Sequence, residues 1–367
     1  MDILVVNTGS SSLKLSVLDP ADQVVAATEV EHWDTDEPPA DLTTFLNGLS
    51  GVGAVGHRIV HGGPTLQSAA LIDDGVRQAI EAATDLAPLH QPRALAGIDV
   101  VSALLPDVPA VACFDTAFHA RMPAAAATYA LPAAWRERFG LRRYGFHGLS
   151  HGYATRRAAQ LLGTSADALR LVSCHLGAGA SLAAVRFGQS VDTTMGFTPL
   201  EGLVMATRAG NTDPGLLLWL LRDGGLGLEE LATGLEHGSG LAGLAGSADM
   251  RDVIRAADAA DPAATLALEV YLHRLRQLIA GMAAAMDGLD VLVFTGGIGE
   301  HQPTVRARAA LGFLGVGIDP QRNLAAAADA DISAAGSAVA TLVVTAREDI
   351  EMAHQVRQVR AAARTAG

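Results

Sequence analysis

The sequence predicts a two-domain α/β protein in which one domain design occurs twice, and three observations carry this. An apolar run, Ile3-Leu4-Val5-Val6, is followed by a polar turn and then by Leu13, Leu15 and Val17 alternating with Lys14 and Ser16, which is a strand, a turn and a second strand. The stretch LRLVSCHLGAGASLAAVRFG repeats the design, with an apolar strand at Leu171 to Cys174, a small-residue turn at Gly177 to Ala180 and an alternating strand through Leu182 and Val185. Third, Leu268, Tyr271, Leu272, Leu275, Leu278, Ile279, Met282 and Met286 trace one face of a helix that stops at Asp287-Gly288. The strand Val291 to Phe294 then leads straight into the loop TGGIGE, the order expected of an α/β unit with its site at the C-terminal end of a strand.

Along the chain, the first turn is the most polar. Thr8, Gly9 and Ser10 to Ser12 read either as a solvated turn, because Gly and Ser suit turns conformationally, or as an anion cradle of N–H groups and hydroxyls with Asn7 and Lys14 at its margins. It lacks the Gly-x4-Gly-Lys-Ser/Thr pattern of a Walker loop. Trp33 to Leu49, with acidic and Pro residues at Asp34 to Pro39, reads as a surface connection. In GHRIVHGG, Arg58 and His61 either bind anionic oxygens or belong to a structural turn. In FDTAFHARMP, Asp115 stands where a strand ends, as a helix cap or as a metal- and nucleophile-positioning acid. In YGFHGLSH, His147 and His151 have the spacing of a zinc motif but no Glu between them, which discounts zinc. Ser150 is then expected to cap a helix through Tyr153 to Leu162, leaving His147 in the loop before its positive end. The stretch from Asp192 to Gly215 is too rich in Gly, Thr and Pro for regular structure, yet Met195, Phe197, Leu200 and Met205 argue against disorder, so it reads as functional. Ala325 to Ser337 reads as peripheral.

Composition narrows the function. With 26 basic against 39 acidic residues and a net charge of −13, a general basic surface for nucleic acid or anionic membrane is excluded, so any anion site is local. No apolar run reaches the length of a membrane span, and the first residues lack a secretion-signal pattern. Cys113 and Cys174 sit in apolar strand contexts without metal-ligand spacing, which fits inert buried thiols and a cytoplasmic location.

The motifs NTGSSSLKL, GHRIVHGG, FDTAFHARMP, YGFHGLSH, CHLGAGASL, DTTMGFTPLEG, TRAGNTDP and TGGIGE, in this order and over nearly the whole chain, resemble the acetate kinase family. The resemblance implies a duplicated actin-like, ribonuclease H-like two-domain kinase fold with an interdomain cleft. Residues 1–119 with a C-terminal helix at 351–367 would form the first domain, and 120–350 the second, nucleotide-binding one. It implies reversible phosphoryl transfer between ATP and acetate, giving ADP and acetyl phosphate, with Mg2+ as cofactor and a homodimer as the assembly.

Residue by residue, Arg58 and Arg208 match the family's two essential arginines, suited to carboxylate and phosphoryl oxygens by their planar donor forks. Asp115 and Glu348 match acids associated with the metal, where Asn7 also stands, and His147 matches a phosphoryl-contacting histidine. Asn7, Ser10, Ser12 and Lys14 match the first phosphate loop, so the polar turn resembles a phosphate cradle. His175, Gly177 and Gly179 match the second phosphate turn, Gly297 and Ile298 the nucleotide loop, and Asp249 and Arg251 the adenosine side. Val60, Leu89, Phe146 and Pro199 match a small apolar pocket for the acyl group. The chain departs from the family at Ala178, Asn211, His301 and Arg347, where Asn, Asp, Asn and Asn are usual. Rival expectations are a kinase for propionate or another short acid and, from another class, a nucleotide-binding switch protein of the actin or chaperone type.

Overall fold

The computed structural model describes residues 1–9, 12–31, 33, 40–49 and 51–366. Two compact units divide the chain. One comprises Met1–Ala120, Phe146–Tyr153 and Arg347–Gly367, the other Arg121–Gly145 and Ala154–Ala346.

In the first unit the opening hairpin forms as its alternation requires. Strands β1 (Asp2–Thr8) and β2 (Ser12–Leu18) pair antiparallel, and β3 (Val24–Glu31) extends them at the edge. On the other side of β1, strand β4 (Val52–Ile59) and then β6 (Ala110–Phe114) run parallel to it, with the two-residue β5 (Ala70–Leu71) closing the order β3-β2-β1-β4-β6-β5. A parallel centre needs cover on both faces. Ile3 and Val5 meet Met352, Ala353 and Val356 of the Glu348–Ala366 helix on one face. Leu4 and Val6 meet Leu13, Leu15, Trp33, Leu42 and Leu46 on the other. Each buried Val, Leu, Ile or Met among them contributes about 1.5–3 kcal/mol by leaving water.

That second face corrects one expectation. The stretch read as a surface connection carries Trp33, Leu42 and Leu46 into the core, the latter two on the helix Ala40–Asn47. Its acidic and Pro residues, Asp34 to Pro39, lie outside the described residues.

The second unit repeats the design strand for strand. Strands β7 (Arg170–Leu176), β8 (Ala180–Arg186) and β9 (Gln189–Thr193) form the antiparallel side. Strands β10 (Val291–Thr295) and β12 (Ala340–Val343) run parallel to β7, and the two-residue β11 (Ala330–Asp331) lies antiparallel at the edge. The order is β9-β8-β7-β10-β12-β11, the same as in the first unit when each strand is matched to its counterpart. The duplication suggested by two hairpins therefore extends to both whole six-stranded sheets. The long periodic segment is the helix Pro262–Ala285, with Pro262 at its first turn and the Asp261 carboxylate accepting from the Ala264 N–H at 2.8 Å. The segment expected to be peripheral supplies the edge strand β11 and one fully buried side chain, Ile332. Among the described residues no helix is long and apolar enough to cross a membrane.

Candidate active site

Strand register explains the first cluster. Side chains alternate along a strand, and cross-strand neighbours share a face. The pairs Val5↔Gly56 and Val6↔His57 carry the register on to set Asn7 beside Arg58, while Arg58↔Cys113 puts Asp115, two residues on, on the same face. Three residues from distant motifs thus meet at the C-terminal ends of β1, β4 and β6, on the face covered by the Glu348–Ala366 helix.

Arg58 is the centre of that cluster. Its Nε donates to Asp115 Oδ1 at 3.2 Å and its Nη2 to Asp115 Oδ2 at 2.7 Å, a two-point fork, while Nη1 donates to Asn7 Oδ1 at 3.1 Å. Glu348 Oε2, at the start of the helix, stands 3.7 Å from Nη1. Burial works against the charged guanidinium, but Asp115 and Glu348 outweigh it and hold the Arg58 pKa above its ordinary value. For Glu348 the balance tips the other way. Burial pushes its pKa up, Arg58 pulls it down, and the nearby Asp115 and Asp349 carboxylates push it up again, so the result is raised. Asp115 was read from sequence as a cap or a positioning acid. Both of its oxygens accept from Arg58, so its side chain caps no helix.

His147 lies in the left-handed region, φ 58°, directly before the helix Gly148–Leu161. The helix starts two residues before Ser150, so Ser150 sits inside the first turn and does not cap it, contrary to the sequence reading. The cause is tertiary: Gly148 N donates to the Asp115 carbonyl at 2.8 Å, and a Cβ on Gly148 would lie 2.2 Å from that oxygen. Only glycine permits the approach that seats His147 beside the Asp115 backbone. Among the acyl-pocket candidates of this unit, Phe146 is buried with its ring edge-on to His61 at 5.6 Å, Val60 is half-buried, and Leu89 is 58% exposed. Of the first-loop residues, Ser10 lies outside the described residues. Ser12 returns its carbonyl to Gly9 N at 2.8 Å. Lys14 is exposed, with Nζ 3.2 Å from Glu29 Oε1.

In the second unit the matching turn is tight. Gly177 N donates to the Gly179 carbonyl at 3.0 Å, just after His175 at the end of β7. The stretch TGGIGE is not a loop as the glycines suggested; it opens the helix Gly296–His301. Gly177, Ala178, Asp249, Arg251, Gly297 and His301 line one cavity of about 590 Å³ that also takes in Ile298. Three stretches singled out in the sequence, at Gly177, Asp249 and Gly297, therefore converge on one hollow. Within it Asp249 caps the helix Met250–Asp258, and the Arg251 guanidinium folds back onto the Asp249 carboxylate, with Nη2 2.6 Å from Oδ2.

Arg208 is differently placed from Arg58. Its Nη1 donates to the Pro199 carbonyl at 3.3 Å and touches Met205 Sδ at 3.8 Å, and no carboxylate of the described residues lies within ion-pair distance. Burial lowers its pKa, offset in part by Glu236. The irregular segment that holds Pro199 is pinned by a triad the sequence reading missed. Tyr129 Oη donates to Glu201 Oε2 at 2.7 Å and accepts from Phe197 N at 2.8 Å, while Arg143 Nη2 donates to Glu201 Oε1 at 2.5 Å. His119 was also missed as more than part of a motif. Its buried Nε2–H donates to the Phe146 carbonyl at 3.0 Å. Neither has a sequence signal beyond lying in or beside a motif.

The sequence model of the Acetokinase family matches residues 40–354. The acetate kinase of Synechococcus sp. (strain JA-2-3B'a(2-13)) is 45% identical over 391 residues, covering 95% of this chain and 96% of that protein. The crystal structure of the Porphyromonas gingivalis acetate kinase superposes with a TM-score of 0.92 at 35% identity, over 98% of this chain and 99% of that one. A propionate kinase from Francisella tularensis superposes with a TM-score of 0.89 at 34% identity, again over 98% of this chain and 99% of that one.

Proposed function

The chain belongs to the acetokinase family, and we propose that it transfers a phosphoryl group reversibly between ATP and acetate, giving ADP and acetyl phosphate. The observation that carries this reading is the Arg58 fork on Asp115 with Asn7 and Glu348 beside it. A short carboxylate is already ionised at neutral pH, so no general base is needed. Its oxygen attacks the γ-phosphorus while the bond from that phosphorus to the bridging oxygen of ADP breaks. The barrier lies in bringing anions together and in the charge spread over the oxygens in flight. Arg58, oriented by the two oxygens of Asp115, meets that charge with the remaining in-plane N–H donors of Nη1 and Nη2. Arg208 serves the same charge: half-buried and without a carboxylate, it gains an anionic partner only when substrate binds. His147 donates an N–H to the transferring group.

Magnesium is part of the proposal. Asp115, Glu348 and Asn7 offer hard oxygens, and among the described residues no group of three or more His, Cys, Asp and Glu side chains gathers into a closed metal cage. An ion here would be shared with the phosphates, the usual manner for magnesium. Burial first, and then the Asp115 and Asp349 carboxylates, raise the Glu348 pKa against the pull of Arg58. When bound, the ion would neutralise phosphate charge. The nucleotide occupies the cavity of about 590 Å³ lined by Gly177, Asp249, Arg251, Gly297 and Ile298, and Val60, Leu89, Phe146 and Pro199 border the acyl group. His175 and Gly179 serve the phosphates with Ser12 and Lys14. A two-domain division, the homodimer and the cytoplasmic location belong to the same reading.

The test is acyl hydroxamate formation with ATP and magnesium across acetate, propionate and butyrate. Acetate is expected to give the highest kcat/KM. A higher value for propionate would assign the chain the acid named for the Francisella relative. ATP consumed with no acyl phosphate would favour a nucleotide-driven switch.

Two substitutions refine the sites. Val60→Ala is expected to raise kcat/KM for propionate relative to acetate, because one added methylene gains about 0.8 kcal/mol only where space exists for it; an unchanged ratio removes Val60 from the acyl site. Ala178 lines the nucleotide cavity and has no polar side-chain atom. Ala178→Asn is therefore expected to tighten ATP binding by about 1 kcal/mol, one ordinary hydrogen bond, at constant acetate affinity. Calorimetric titration of ATP into both proteins checks it.

A further inference from the structure

The largest fully buried side chain of the described residues is a cation. Arg306, on the helix Pro303–Ala309, is 1% exposed, and its hydrogen bonds reach no carboxylate. Its Nε donates to Asn323 Oδ1 at 2.7 Å and its Nη2 to the Asn323 carbonyl at 2.7 Å. Its Nη1 donates to the Gly299 carbonyl at 2.9 Å and the Glu300 carbonyl at 2.6 Å. Burying a guanidinium without an anion is costly, and burial pushes its pKa down. A fold retains such a group where those carbonyls must be held.

The chain itself says why they must be. The helix Gly296–His301 has six residues, too short to persist by its own hydrogen bonds. Pro303 follows, and having no N–H it cannot serve the carbonyl four residues back, which is Gly299. Arg306 supplies that missing donor. At the other end the Glu300 carboxylate accepts from Gly296 N at 3.0 Å and from Ala346 N at 2.9 Å. Asn323, itself buried, donates Nδ2 to the Pro303 carbonyl at 2.9 Å and so fixes the guanidinium in turn. The helix held in this way presents Gly297, Ile298 and His301 to the cavity.

We propose that Arg306, braced by Asn323, is a positioning residue for the nucleotide: it fixes the Gly297–Ile298 wall of the cavity without touching the nucleotide. The inference rests on that cavity being the ATP site.

The experiment measures KM for ATP, KM for acetate and kcat in Arg306→Met and Arg306→Lys. With the wall released, Arg306→Met raises KM for ATP about tenfold while KM for acetate stays within about twofold. Lysine keeps the charge but only one donor position, so Arg306→Lys gives an intermediate rise of about threefold. It also carries the test alone if the methionine variant does not fold. A merely structural arginine would raise both KM values together or lower only the unfolding temperature, and either result overturns the proposal, as does an unchanged KM for ATP. Ala178→Trp, which fills the cavity, separates the two levels. If it abolishes ATP use while the Arg306 variants are silent, the positioning role is wrong; if it too leaves KM for ATP unchanged, the ATP site lies elsewhere.

Discussion

Replacing Arg58 by lysine is expected to lower turnover about a thousandfold while ATP and acetate still bind. The reason is geometric rather than a matter of charge. Arg58 spans Asp115 with Nε and Nη2 and reaches Asn7 and the edge of Glu348 with Nη1, so one planar group is locked from three directions. A lysine ammonium is a point donor that can satisfy Asp115 or Asn7 but cannot hold a plane toward a transferring phosphoryl group. Turnover near the parent value in a folded Arg58→Lys would end its catalytic assignment. Stability should separate the two arginines. Arg58→Ala leaves the Asp115 carboxylate, 2% exposed, without its partner, a loss of about 3–5 kcal/mol for a buried pair. Arg208 has no carboxylate to abandon and burial already disfavours its charge, so Arg208→Met should lose turnover with no loss of thermal stability. Thermal unfolding of the three variants beside steady-state kinetics decides the matter.

What the sequence made legible follows the range of the interactions. Both hairpins were readable because a two-residue period and a turn are local, and so was the long helix, whose stop at Asp287-Gly288 coincides with positive φ at both residues. The meeting of Asn7, Arg58 and Asp115 was not readable from spacing, because it depends on parallel pairing between strands about fifty residues apart. Where local and tertiary signals competed, the local one misled. Ser150 looks like a cap, but the Gly148–Asp115 backbone bond starts the helix earlier. The glycines of TGGIGE suggest a loop, but side chains of Glu300 and Arg306 hold a helix there. Charges and prolines ahead of Ala40 obscured a helix whose Leu42 and Leu46 are spaced for one buried face.

Acid is expected to unfold the first unit between about pH 6 and pH 4.5 because three of its histidines are buried neutral. His57, His61 and His119 all belong to that unit and are at most 2% exposed, and burial lowers each pKa from 6.5 to about 4. His57 shares the sheet face of Val6 and Val55, and its Nε2 is buried without a hydrogen-bond partner, so nothing there welcomes a proton. Above pH 6.5 all three are neutral in both states and cost nothing. Between 6.5 and about 4 the unfolded chain takes up protons that the folded one refuses, so stability falls with falling pH; below about 4 both states are protonated and the loss is complete. Each histidine contributes up to about 3 kcal/mol to that loss, and three together rival the whole stability of a typical domain, about 5–15 kcal/mol. Trp33 supplies the readout, being 3% exposed in this unit's core, whereas Trp135 and Trp219 are 55% and 54% exposed. In a Trp135→Phe, Trp219→Phe background, Trp33 emission should shift to the red between pH 6 and pH 4.5, where about half of the loss has accrued. His57→Leu, which replaces the unpartnered ring by an apolar group of similar size, should move that transition to lower pH, and a transition that stays in place would show that carboxylates and not these histidines set the acid limit.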